Sequence, residues 1–180
     1  MINLGKLARY EQEKLKRSTR AQQFRYFCYK LIDAQYILGR ENLFATDCSG
    51  TICWPLFCMD PKRFNIRMRA RDLFRHIFIH PGYLVEWYSK VMAIFYEKGG
   101  VVSHVSPIVG RGVILDAWDP DEPVITKALD NVMDYYIENH YSVYIREIDW
   151  RMAEDWGWRD AFSWDREADE ILKELQGGGK

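Results

Sequence analysis

The spacing of hydrophobic positions changes partway along this chain and divides it into a helical first part and a strand-rich second part. Residues 4–38 contain no proline and only Gly5. Leu7, Tyr10, Leu15, Phe24, Phe27, Leu31 and Tyr36 recur at near-helical intervals, which predicts a long, broken amphipathic helical region ending at Gly39. Residues 40–47 read as a loop. Residues 49–57 predict a helix that must accommodate Pro55, a residue tolerated in a first turn and straining deeper in. Residues 67–79 predict another helix, with Arg67, Arg69, Arg71 and Arg75 forming a basic face.

The pattern changes after Pro81-Gly82. An apolar run over 91–96 closes at Gly99-Gly100, 101–109 follows, and Gly110-Arg111-Gly112 leads into 113–118. Three β-prone segments joined by glycine-rich turns predict an antiparallel meander. Asp119-Pro120-Asp121 reads as a turn, 124–139 as a helix, 141–150 as a further strand and 151–176 as an acidic helix rich in tryptophan. Helices first and strands second indicate an α+β fold, not alternating βαβ units. Residues 1–34 form an N-terminal extension, 35–150 the central unit and 151–180 an acidic helix with a glycine-rich end, all within one compact domain.

Composition narrows the function classes. The chain has 180 residues, 48% hydrophobic and 28% charged, which excludes disordered and coiled-coil compositions. The formal net charge is −1, against a dedicated nucleic-acid binder. Charge is distributed unevenly: residues 1–30 carry eight Lys/Arg and two Glu, whereas 146–174 carry ten Asp/Glu and five Lys/Arg. The plain reading is two solvated helices of opposite charge side by side; the functional one is a basic arm for phosphate or anionic lipid. No apolar leader and no segment long enough to span a bilayer are present, so the polypeptide as written is expected to be made in the cytoplasm.

Four cysteines, Cys28, Cys48, Cys53 and Cys58, form no CxxC pair and no zinc-finger spacing, so neither a structural metal nor a cofactor is expected. Cys28 sits in an aromatic stretch and reads as a small buried hydrophobe. Cys48 differs. In Thr46-Asp47-Cys48-Ser49-Gly50 it stands where a loop enters a helix, where free N–H groups and the helix dipole favour a thiolate and can receive an oxyanion. Downstream, His104 lies on a predicted strand and Asp116 on the next. A hairpin turning at Gly110-Arg111-Gly112 sets the two directly opposite each other, so the carboxylate can orient the imidazole. Asp119 is the alternative orienting residue.

These elements resemble the NlpC/P60 cysteine peptidases. Asp47-Cys48-Ser49-Gly50 is similar to that family's nucleophile motif, and residues 91–95 to the strand before its histidine. Ser103-His104-Val105 through Ile108-Val109-Gly110 resembles its His-Val-Gly-Ile-Tyr-x-Gly strand. Ile114-Leu115-Asp116-Ala117 resembles the segment bearing its third catalytic residue, and Tyr36-Ile37-Leu38-Gly39 its Tyr-x-x-Gly upstream of the nucleophile. The match runs from about residue 35 to 118 in family order, with 141–150 as a final strand. The resemblance implies a papain-like fold and hydrolysis of peptidoglycan stem peptides, typically at the D-γ-glutamyl–diaminopimelate bond. Cys48 would be the nucleophile, His104 the base and Asp116 the orienting residue. Tyr36 would hold the oxyanion or substrate, and Asp47 and Ser49 would meet the free amine end of the stem peptide.

The chain departs from the family pattern at several points. Ser106-Pro107-Ile108 replaces Gly-Ile-Tyr, and Pro107 suggests an edge strand or a bulge. Asp116 stands where histidine is common, and the Pro-Gly-Asp before the central strand is absent. Among the remaining residues, Trp156, Trp158 and Trp164 read as anchors of a terminal helix, with sugar stacking as the functional alternative. His76 and His80 share a helical spacing, without a third metal ligand. The arginine cluster faces solvent or holds anionic glycan. The function expected first is a thiol amidohydrolase acting on wall peptides: a phage-type lysin, an enzyme delivered by a non-standard route, or a cytoplasmic recycling enzyme. The alternatives are acyl transfer or cleavage of a non-wall amide by the same residues, and a catalytically silent interaction domain.

Overall fold

The computed structural model describes residues 9–64 and 67–151. The predicted N-terminal helical region is two helices, α1 (Arg9–Lys16) and α2 (Arg20–Tyr29). The break has a local cause. Thr19 caps α2 by accepting the Gln22 N–H at 3.2 Å, while the Gln22 side chain accepts the Thr19 N–H at 2.8 Å, a capping box that starts a new helix. Two short strands, β1 (Gln35–Tyr36) and β2 (Ala45–Thr46), pair in parallel around the loop read from sequence. α3 (Gly50–Met59) follows, then α4 (Ala70–His76).

Pro55 lies inside α3 and leaves the Thr51 carbonyl without its helical donor. The Cys28 thiol of α2 points at that carbonyl, Sγ to O 3.8 Å, so the packing partner covers the gap. Phe24, Phe27, Ile52, Trp54 and Leu56 lock the two helices into one core.

The main sheet runs β3-β8-β4-β5-β6-β7, with β3 (His80–Pro81), β4 (Met92–Lys98), β5 (Val101–Gly110), β6 (Val113–Asp116), β7 (Ile125–Ala128) and β8 (Ser142–Glu147). All its pairings are antiparallel. The predicted meander is β4-β5-β6. Ala93, Phe95, Val105, Val109 and Leu115 face the core shared with α2, α3 and α4. Met92, Ile94, Tyr96, Ile108 and Ile114 face α5 (Leu129–Glu138) through Leu129 and Tyr136. Burial on both faces explains why 91–96 reads as an unbroken apolar run.

Three expectations are corrected. Residues 125–128 are a strand, not the start of a helix: Ile125, Thr126, Lys127 and Ala128 pair with Asp116, Leu115, Ile114 and Val113, and the helix begins only at Leu129. Two consecutive β-branched residues and pairing to β6 outweigh the helical pattern. Pro107 lies in a central strand, opposite Ala93, and not on an edge; the irregularity comes just after it, between Ile108 and Gly110. The β5–β6 register also differs, as described below.

One connection ties the start of β1 to the segment leading into β7. The Asp33 N–H donates to the Val124 carbonyl at 2.9 Å, and the Val124 N–H donates to the Ala34 carbonyl at 2.8 Å. The acidic segment beyond Arg151, with Trp156, Trp158 and Trp164, lies outside the described residues, and no described helix is long and apolar enough to cross a membrane.

Candidate active site

Asp47 builds the entrance to α3. Its Oδ1 accepts the Gly50 N–H and the Ser49 hydroxyl, both at 2.9 Å, and its carbonyl accepts the Thr51 N–H at 3.1 Å. Asp47 thus acts as the cap, and Cys48 follows it in the first turn, where N–H groups have no helical acceptor. Gly50 permits this turn because a Cβ there would sit 2.7 Å from the Arg40 carbonyl oxygen. Cys48 is half-buried, whereas Cys28, Cys53 and Cys58 are buried. Burial pushes the Cys28, Cys53 and Cys58 thiols up, away from thiolate formation.

His104 is buried on β5. Its Nε2 lies 3.1 Å from Asp116 Oδ1. The Ser106 hydroxyl lies 3.3 Å from the same nitrogen, and the Cys48 thiol is near enough to help raise the imidazole. The sequence expectation of direct opposition is corrected: Ile108 faces Ile114 and Gly110 faces Val113, with a bulge between. That register carried onward sets Asp116 across from Ser106, with His104 one side chain further along the same face. The contact survives because Ser106 and His104 share a face, and the Ser106 hydroxyl donates to the same Asp116 oxygen at 3.0 Å. Asp119 instead accepts the Asp121 N–H in the turn it was read to form.

Sequence reasoning missed several neighbours. Lys127 on β7 reaches Asp116 Oδ2 at 2.9 Å, so both carboxylate oxygens are held. Tyr96, Trp118 and Tyr136 surround the imidazole, with ring centroids 5.2, 4.8 and 6.1 Å away. Trp118 is 39% exposed and forms the open side of this enclosure. Lys127 was hidden by the helical reading of its segment; the β-branched run Val124-Ile125-Thr126 just before it is the signal that could have found it.

The charges follow from these contacts. Burial alone would lower the His104 pKa, but hydrogen bonds to Asp116 and Cys48 outweigh it and push the imidazole up to about 9. Burial raises Asp116, while His104 and Lys127 together pull it down to about 2. The His104 contribution to stability is fully present below its ordinary value of 6.5 and is lost as pH rises through about 9. The Asp116 contribution is present above 3.8 and is lost as pH falls through about 2. The parent protein should therefore melt several degrees higher at pH 6 than at pH 9.5, and His104→Gln should flatten that slope; identical slopes would refute the assignment.

Tyr36 stands by the same helix entrance. Burial raises its phenol to about 12, with Cys48 and Asp47 adding to the effect and Arg67 opposing it, so it remains a hydrogen-bond donor at neutral pH. Arg67, expected on a basic helical face, lies ahead of α4 and pairs with Asp47 and Glu41. His80 hydrogen-bonds Asp149 at 2.9 Å, and among the described residues no group of three His, Cys, Asp or Glu could hold a metal ion.

The arrangement thus joins a half-exposed thiol at a helix start, an imidazole and a doubly anchored carboxylate, with a tyrosine hydroxyl nearby. No protein-family model matches the sequence, and no curated protein matches it. Solved structures do. NlpC1 from Trichomonas vaginalis aligns with a TM-score of 0.52 at 19% identity over 72% of this chain and 44% of its own. NlpC2 from the same organism gives 0.51 at 16% identity, over 73% and 46%. An NLP/P60-family protein, similar to lipoprotein, from Staphylococcus aureus gives 0.53 at 20% identity, over 72% and 41%. This chain therefore spans less than half the length of these structures, and its fold is the NlpC/P60 fold.

Proposed function

We propose that the chain is a cysteine-dependent endopeptidase that cleaves peptidoglycan stem peptides, with Cys48, His104 and Asp116 as its catalytic residues. The observation that carries this reading is one imidazole bonded to a buried carboxylate and raised in pKa by the half-exposed thiol at the start of α3. The substrate class comes from the resemblance around Asp47-Cys48-Ser49-Gly50, and the NlpC/P60 fold supports it. The expected bond is D-γ-glutamyl–diaminopimelate.

In this reading, the Cys48 proton passes to His104 and the sulfur attacks the amide carbonyl carbon. The oxyanion is met by the Cys48 backbone N–H and the Tyr36 hydroxyl. Collapse breaks the C–N bond, and His104 gives its proton to the departing amine. A water then loses a proton to His104 and attacks the thioester, releasing a carboxylate and restoring the thiol. Asp116, held by Ser106 and Lys127, keeps Nε2 occupied so that Nδ1 serves the sulfur. No step calls on a metal or cofactor.

The test is digestion of purified peptidoglycan by the full chain, followed by amine quantification and mass spectrometry of the muropeptides. New diaminopimelate amino termini are expected in stoichiometric pairing with new γ-carboxylates. No increase over the heat-inactivated protein would overturn the reading. Transfer of the acyl group to an added amine, without free acid, would redirect it to acyl transfer.

A further inference from the structure

The feature that the reaction scheme leaves unused is the cation on Asp47. The side chain of Asp47 is 3% exposed. Its Oδ1 accepts from Ser49 and Gly50, and its Oδ2 accepts the Gly39 N–H at 2.8 Å and also the Arg67 guanidinium. Four donors saturate the carboxylate. The Ser49 hydroxyl is spent on the same group and is buried with it. The Arg67 side chain, 33% exposed, closes the outer side of Asp47, and a second carboxylate, Glu41, lies 3.6 Å from its Nε. Asp47 immediately precedes Cys48, so this cation sits by the nucleophile and not on a remote face.

We propose that Arg67 is a built-in counter-cation that occupies the place a substrate ammonium would take on Asp47, so that the enzyme acts on stem peptides whose N-terminus is acylated. This rests on the hydrolase reading above and names its substrate class. In the wall, the stem-peptide nitrogen is bound in an amide to the lactyl group of the glycan; a peptide freed from the glycan carries an ammonium instead. The two differ in charge at one atom. A site that held the ammonium on Asp47 would reject the wall-attached form, because a buried carboxylate would lose its partner. Here the partner is internal, and no partner is lost when the nitrogen is acylated. The discrimination does not need repulsion, since two carboxylates and one guanidinium leave the cluster formally at −1. It needs only that Asp47 has no acceptor site left to offer.

The test compares two synthetic peptides, L-Ala-D-γ-Glu-diaminopimelate with a free N-terminus and the same peptide N-acetylated, by kcat/KM with the full chain. The acetylated peptide should be cleaved at least as well as the free one, or within about threefold of it. A preference for the free amine beyond that overturns the inference and leaves the hydrolase reading intact. Cleavage of neither peptide overturns the hydrolase reading and this inference with it. Arg67→Ala, checked for folding by its melt, frees an Asp47 oxygen and should move the ratio toward the free amine by about tenfold or more, the worth of one charged hydrogen bond. Arg67→Lys should keep the parent ratio. An unchanged ratio in folded Arg67→Ala overturns the inference; should that variant fail to fold, the parent ratio alone decides.

Discussion

Cys48→Ala is expected to lower the release of new amino termini from peptidoglycan by on the order of 10⁵-fold or more, close to the limit seen when a triad nucleophile is removed. The folded state should be almost untouched. The change deletes one sulfur from a half-buried residue, while the helix cap remains with Asp47 through its bonds to Gly50 and Ser49. The melting temperature should stay within about two degrees of the parent, as for substitutions that disturb neither a core nor a cap. Alkylation adds an independent measure. In the native protein, iodoacetamide should label Cys48 first, because burial raises the other three thiols. Residual turnover above about one part in a hundred would show that the sulfur is not the attacking atom.

Gly50→Ala is expected to be the most damaging single-methyl change near the site. A Cβ at this position would lie 2.7 Å from the Arg40 carbonyl oxygen and 2.8 Å from the Glu41 Cβ, and it would collide with the Thr46 hydroxyl. Two of these neighbours are backbone or backbone-adjacent, so the helix entrance must move as a unit. The cost should be about 3 kcal/mol, the upper part of the range for overpacking. Because Gly50 also donates to Asp47, displacement tilts the turn that carries Cys48. Turnover should fall by about a hundredfold even at temperatures where the variant stays folded, since small misplacements of reacting groups are amplified in the rate. At Gly100, by contrast, no atom lies within 4 Å of a built Cβ, and any cost of alanine there comes from its φ of +79° alone. Chemical denaturation of both variants beside the parent measures the difference; equal stability of Gly50→Ala and the parent would contradict the packing described.

Much of this organisation is legible in the sequence because it depends on local rules. The helix entrance at Cys48 follows from one motif, and the order of helices and strands follows from spacing and glycine turns. Juxtaposition of His104 with Asp116 follows from a hairpin, although the bulge after Ile108 shifts the register and makes the contact diagonal. A bulge is invisible to a rule that assumes an unbroken ladder. Other contacts arise only through tertiary structure. Lys127 meets Asp116 because β7 pairs with β6, and a helical pattern over 124–139 conceals that pairing. Arg67 lies twenty positions from Asp47, on a segment whose arginines read equally well as a solvated face. Ser106 was read only as a departure from a motif, yet it shares an Asp116 oxygen with His104.

The paired amides of Asp33 and Val124 bear on how the site opens. They fasten the chain just before Tyr36 to the chain just before Lys127, and these residues flank the thiol and the carboxylate respectively. The two banks are laced together and cannot part like jaws without undoing both stitches. A shift of either bank therefore carries the other with it, so the spacing between the Tyr36 and Lys127 segments is kept by the backbone itself.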